Sequence, residues 1–218
     1  MAAFDFGEKV NPMLFTKQLT TPCVLNVNDY IRQAWDMFTA HIGEFSGFSL
    51  IIFALSLVTT LIPSGGSFLF SSVAAVLYVG YGIVTFKLLS GQLFVFSDFF
   101  RGINYFLPLF LAALACSILV SIGFILLILP GVYLAVSYMF ATFLIIDYRM
   151  EFWQAMETSR QIITKNWFAF LGFALVLTLI NLLGILALGV GLLVSIPVTS
   201  CAIAIAYKDI IGLYSTEW

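Results

Sequence analysis

The sequence predicts an all-α integral membrane protein: six transmembrane helices as three hairpins, each preceded by an in-plane amphipathic helix. Three observations predict it. The chain is 62% hydrophobic and 9% charged, with 23 Phe in 218 residues, whereas soluble domains average about 45–50% apolar and about 25% charged residues. Six segments approach the roughly 20 apolar residues that a spanning helix needs. All nine basic residues fall on one side of the topology those segments define.

The spans are expected at Phe45–Ile62, Phe68–Leu89, Phe106–Leu129, Val132–Ile146, Trp167–Leu188 and Gly191–Ile210. The fourth is short unless it starts within the preceding Pro-Gly turn or runs on to Tyr148. The fifth and sixth lack a polar break between them, and their reversal is expected near Gly189 and Gly191. "IPSGG" (Ile62–Gly66) separates the first two and "ILPGV" (Ile128–Val132) the third and fourth; Pro and Gly break helices and permit tight reversals. None of these turns carries a charge.

Lys9, Lys17 and Arg32 precede the first span, and Lys87 and Arg101 flank the link from second to third. Arg149, Arg160 and Lys165 lie between fourth and fifth, and Lys208 ends the sixth. Basic residues are retained in the cytoplasm, so both termini are expected inside and the neutral turns outside. The opening residues lack the basic start, apolar core and cleavage site of a signal peptide, so insertion is expected to rely on the internal segments. A net charge of −2 gives no reason to expect nucleic acid as a partner.

The polar island "MEFWQAMETSRQIITKNW" (Met150–Trp167) reads as an amphipathic helix. Phe152, Met156, Ser159, Ile163 and Trp167 form one stripe, flanked by Trp153, Ala155 and Ile162, with Glu157 one turn from Arg160 or Gln161. Its Trp content and attachment to a span place it in the headgroup plane. "NDYIRQAWDMFTAHIGEF" (Asn28–Phe45) repeats the pattern with Ile31, Ala34, Trp35, Phe38, Ile42 and Phe45. "FSDFFRGINYF" (Phe96–Phe106) is a shorter version with Phe96, Phe99, Phe100 and Ile103 in line and Ser97 as a candidate cap. Gln33-Ala34 matches Gln154-Ala155, and "FSGF" (Phe45–Phe48) matches "FLGF" (Phe170–Phe173). The domain reading is therefore a cytoplasmic extension (1–27), a transmembrane domain (28–212) with candidate repeat units 28–93, 94–149 and 150–212, and a tail (213–218).

The stretch "LPGVYLAVSYMFATFLIIDYRMEFWQAMETSRQIITKNWFAFLGF" (Leu129–Phe173) resembles a bacterial inner-membrane family of unknown function. That family includes the YciC-like proteins and the membrane domain attached to some glycerophosphodiester phosphodiesterases. The matching residues are Pro130, Gly131, Asp147, Ala155, Ser159, Lys165, Asn166, Trp167, Gly191, Pro197 and Tyr207-Lys208-Asp209. The resemblance covers residues 95–212, and the N-terminal third only by architecture. It implies a six-helix inner-membrane protein and supplies no catalytic motif. The phosphodiesterase activity of some relatives needs several acids and histidines around a metal; this chain has one histidine, His41, and that activity is not expected.

Chemistry is sparse. Cys23, Cys116 and Cys201 are far apart and read as packing residues. No charge falls in the middle of a span; Lys87, Asp147, Lys208 and Asp209 sit at helix ends, where interfacial anchoring explains them. No cofactor or metal is expected, and no enzyme. The expected membrane-interface residues, for lipid or partner contact, are Trp35, Phe38, Phe99, Phe100, Trp153, Lys165, Trp167 and Lys208. A candidate cavity combines Tyr138, Thr178, Asn181 and the Pro197 kink; helix-to-helix hydrogen bonding is the plainer use of Asn181. The expected function is a non-catalytic accessory or scaffold subunit of a membrane complex, or a lipid-organising protein. Its partners would be membrane lipids and a protein docked through residues 1–27 and the in-plane helices. The alternative is a transporter or channel for a small neutral or amphiphilic solute.

Overall fold

The computed structural model describes residues 5–20, 24–60, 66–187 and 189–215, and nearly all of them are helical. Among them there is no strand; one backbone bridge joins Glu8 to Met150. The helices are α1 (Thr16–Thr20), α2 (Val27–Ala40), α3 (Ile42–Thr60), α4 (Gly66–Leu89), α5 (Phe106–Leu126), α6 (Ile128–Ser137), α7 (Ala141–Tyr148), α8 (Phe152–Thr164), α9 (Trp167–Leu186) and α10 (Leu192–Ile210). Pro12–Phe15 and Phe96–Tyr105 are 3-10 helices. Phe96–Leu126, Ile128–Tyr148, Trp167–Leu186 and Leu192–Ile210 are long and apolar enough to cross a membrane. The pair Val27–Ala40 and Ile42–Leu57, bent by 94°, makes a fifth candidate. So many apolar segments of spanning length mark a membrane protein.

The expected helix breaks need correction: the amphipathic helix expected over Asn28–Phe45 is broken at His41, and the expected fourth span is interrupted between Ser137 and Ala141. The reversal between α5 and α6 is not at the Pro-Gly pair but at Leu127, the single extended residue between them (φ −162°, ψ 146°). Pro130 is the third residue of α6, where the missing N–H has no intrahelical acceptor to lose. The α9–α10 reversal runs through Gly189, at φ +77°, which glycine adopts without strain. The expected first turn, Ile62–Gly66, lies outside the described residues save for Gly66, which starts α4.

The bundle is built around α10, which packs against α2, α3, α4 and α9. Some 56% of its apolar window is buried, against 17% for Phe96–Leu126 and 22% for α9. The last two therefore present most of their surface outward, including Ile118, Ile122, Leu179 and Leu182. Two aromatic clusters fill the interior. Phe99 lies 4.6 Å from Phe48 and 5.3 Å from Phe45, ring to ring. Tyr207 on α10 meets Phe86, Phe140 and Phe143 at 5.4–5.6 Å.

Backbone meets backbone where α4 crosses the 3-10 helix Phe96–Tyr105. A Cβ on Gly102 would stand 2.3 Å from the Val76 carbonyl oxygen. The described hairpin tips close on glycine pairs as well: Gly123 against Gly131, and Gly184 against Gly191. Small residues at such crossings let apolar helices gain dispersion contacts that lipid would otherwise supply.

Gly102→Ala should therefore destabilise the protein by about 1–3 kcal/mol through overpacking. Gly43→Ala, on α3 with open space around it, should be neutral or stabilise by up to about 1 kcal/mol. Thermal unfolding midpoints in detergent measure both.

Candidate functional site

The ends of four helices meet the segment before α2 and the residues just after α10 in one polar layer. The Lys208 ammonium, on the last turn of α10, donates to the Leu89 carbonyl at the end of α4, at 3.0 Å. Tyr207 donates to Asp147 at the end of α7, at 2.9 Å. The Tyr30 hydroxyl of α2 donates to Asp209. The C-terminal ends of α4, α7 and α10 are thus tied together, with the start of α2 beside them.

Two buried carboxylates organise this layer. Asp98, 1% exposed, receives Lys87 at 2.7 Å and the Val95 backbone N–H at 2.9 Å, and Arg101 Nε lies 2.8 Å from its other oxygen. Asp147, also 1% exposed, accepts Tyr207, the Tyr214 N–H at 3.1 Å and the Ser215 N–H at 2.8 Å. It therefore clamps the chain after α10 onto the end of α7. An ion pair of this kind contributes mainly by what its loss would leave behind, an uncompensated buried charge.

The N-terminal segment docks on its own chain. Glu8 N–H donates to the Arg149 carbonyl at 2.7 Å, and Glu151 N–H to the Glu8 carbonyl at 2.9 Å. Val10 N–H donates to the Gln154 side chain at 2.9 Å, and Gln18 donates to the Ile211 carbonyl at 3.1 Å. Phe15 is buried against Tyr148, whose other neighbour is Tyr214 at 4.7 Å. The segment before α2 and the residues just after α10 thus meet at Tyr148.

The expected interface residues divide. Trp35 and Trp153 are 50% and 55% exposed, and Lys165 is exposed at the end of α8. Phe100 is half-buried, edge-on to Phe48. Trp167 is half-buried beside Tyr133, at 5.9 Å. Lys208 is engaged with Leu89. Phe38 and Phe99 correct the expectation, being buried in the core. On α2 the inward stripe is Tyr30, Ala34 and Phe38, which turns Trp35 outward, while Ile42, past the bend, is exposed at the start of α3. On α8 the buried face is Ala155, Met156, Ser159, Ile162 and Ile163. Glu157 pairs with Arg160 at 2.6 and 2.8 Å and accepts from Gln161 at 2.8 Å. The Arg160 guanidinium holds the Glu157 carboxyl below its ordinary range, so this exposed pair's small contribution is lost as pH falls through that lowered value.

The candidate cavity residues do not converge. Asn181 donates to Thr199 on α10 at 3.3 Å, two residues from buried Pro197. The Thr178 hydroxyl turns back to the Ala174 carbonyl and is exposed on the bundle surface. Tyr138 sits at the break between α6 and α7. A cavity of about 260 Å³ among α3, α4 and α10 is lined instead by Ser49, Ser56, Tyr78 and Tyr81 with apolar neighbours. Among the described residues no three His, Cys, Asp or Glu side chains gather as a metal site. His41 packs edge-on to Phe94 at 5.1 Å. Cys201 accepts from Thr85 at 3.2 Å, and Cys23 lies outside the described residues.

No protein-family model, no curated protein and no solved structure matches the chain.

Asp98→Leu leaves Lys87 buried without its carboxylate and should cost about 3 kcal/mol or more, while Lys87→Met/Asp98→Leu together should recover much of that loss. The double-mutant cycle is read from thermal unfolding midpoints in detergent. Asp147→Ala should expose the chain around Tyr214 and Ser215 to carboxypeptidase, with α10 remaining protected.

Proposed function

We propose that the protein is a non-catalytic multi-pass membrane protein, an accessory or scaffold subunit of a membrane complex or an organiser of lipid. In this reading α3, α4, α5, α6–α7, α9 and α10 are six spans. The helices α2, Phe96–Tyr105 and α8 lie in the headgroup layer of a bacterial inner membrane. The 94° bend at His41 supports the in-plane position of α2, since a spanning α3 lays a perpendicular α2 along the surface. The nine basic residues and the positive-inside rule support cytoplasmic termini. The residue pattern of Leu129–Phe173 supports the YciC-like resemblance, which is part of the same proposal.

The observation that carries the scaffold reading is how the polar groups of the apolar helices are used. Ser49 pairs with Tyr81, Thr85 with Cys201, Asn181 with Thr199, and Ser159 with the Ser137 carbonyl. Each joins one helix to another, as structural hydrogen bonds in lipid do; only the Ser49–Tyr81 pair among these four borders the 260 Å³ cavity. A transporter remains the second reading because the Asn181 Oδ1 and Ser195 Oγ atoms are buried without a hydrogen bond among the described residues.

Extraction from native membranes into lipid nanodiscs, with mass spectrometry of what co-purifies, tests the proposal. A stoichiometric protein partner or retained lipid is expected. Asn181→Leu should cost about 0.6–2 kcal/mol of stability and leave that association intact. A chain that purifies alone, and whose Asn181→Leu variant stays folded but loses a solute flux, contradicts the proposal.

A further inference from the structure

Beside the polar layer lies a cavity of about 580 Å³, bounded by the N-terminal segment, the start of α5 and the end of α7. That volume is within the range of small-molecule sites. Its polar lining includes Asp5, Glu8, Asn104, Tyr105 and Arg149, and Leu107 and Ile145 give it apolar walls. We propose that it binds the aminoethyl-phosphate headgroup of a zwitterionic phospholipid with a primary ammonium, whose N–H groups donate to carboxylates as a quaternary ammonium cannot. Arg149 takes the phosphate, and Glu8 with Asp5 takes the ammonium.

Three observations carry this. First, both signs of charge line one cavity, and neither Glu8 nor Arg149 takes part in the ion pairs of the described residues. Asp5 uses one carboxylate oxygen on the Gly7 N–H at 2.9 Å and keeps the other. Second, Arg149 holds φ +53°, a left-handed helix end that ordinarily takes glycine. Its backbone carbonyl receives Glu8 N–H, a task glycine would perform as well, so that contact gives no reason for the guanidinium. Third, the cavity sits where α5 begins and α7 ends, so acyl chains would run down beside both helices. Two carboxylates against one guanidinium disfavour an anionic headgroup without an amine. A guanidinium–phosphate contact and an ammonium–carboxylate contact are both charge-assisted.

The inference rests on the membrane reading above, with this end of the bundle at headgroup depth. The test uses the full chain in nanodiscs of phosphatidylcholine doped with phosphatidylethanolamine or, separately, phosphatidylglycerol, with retained lipid counted by native mass spectrometry. Wild type should retain phosphatidylethanolamine. Glu8→Gln, whose backbone bonds persist, and Arg149→Gly, which relieves the left-handed backbone, should each lose about tenfold in retention. Arg32→Gln, on the exposed side of α2, should not. Folded Arg149→Gly that retains the lipid as wild type does overturns the site, as does equal retention of phosphatidylglycerol. Soluble O-phosphoethanolamine that displaces the lipid would make the free headgroup the ligand and overturn the lipid assignment. A chain that never stays with the bilayer overturns the membrane reading itself, whereas an embedded chain without bound lipid overturns this site alone.

Discussion

A charged or hydrogen-bonding group in an apolar medium must find its partner within the protein, because hydrocarbon offers none. That constraint organises this chain more than any single contact. Charged groups are kept to the ends of the apolar helices, and those ends are tied together. Lys208 reaches the end of α4, Tyr207 reaches Asp147 at the end of α7, and Lys87 reaches Asp98 across the link that follows α4. The segment before α2 and the residues just after α10 complete the layer. Glu8 pairs its backbone with Arg149 and Glu151, and Tyr214 and Ser215 fold back onto Asp147.

Away from that layer the same constraint appears as economy. Several hydroxyls on the apolar helices turn to a carbonyl one turn back, as that of Thr178 does, and those of Thr85 and Ser49 also meet a group on a neighbouring helix. Close approach is bought with glycine at Gly102 and at the hairpin tips. What remains is aromatic packing around α10, which leaves α5 and α9 with broad apolar surfaces facing outward.

The sequence carried the existence of the helices better than their boundaries, since the breaks at His41, Leu127 and Tyr138 are marked by no proline or glycine at those residues. The 3.6-residue pattern of α8 and its Glu157–Arg160 pair follow from spacing alone, and several of the residues that match between the two segments are interior. Ala34 and Ala155 are both wholly buried, as are Phe45, Phe48, Phe170 and Phe173. The rotation of α2 was less legible. The expected stripe ran on through Ile42 and Phe45, which the bend at His41 places on α3, and only packing against α10 selects Tyr30, Ala34 and Phe38 over Trp35 on α2 itself. Asp147 read as an ordinary helix-end acid, and nothing in the sequence singled out Asp98. The partners that bury them lie eleven residues away for Lys87 and sixty or more for Tyr207 and Tyr214, and no local pattern encodes the longer of those meetings. The left-handed Arg149 gave no signal either, since glycine is the residue such a position advertises.

The central claim is that all the charged helix ends share one face of the membrane and the hairpin tips the other. Single cysteines at Asp36, Asn104 and Gln161, and at Leu127 and Val190, in a chain freed of Cys23, Cys116 and Cys201, test it with a membrane-impermeant maleimide. All five positions are exposed. The account predicts that the first three label only from the cytoplasmic side and the last two only from the opposite side. Labelling of Asn104 or Gln161 from the same side as Val190 would contradict it.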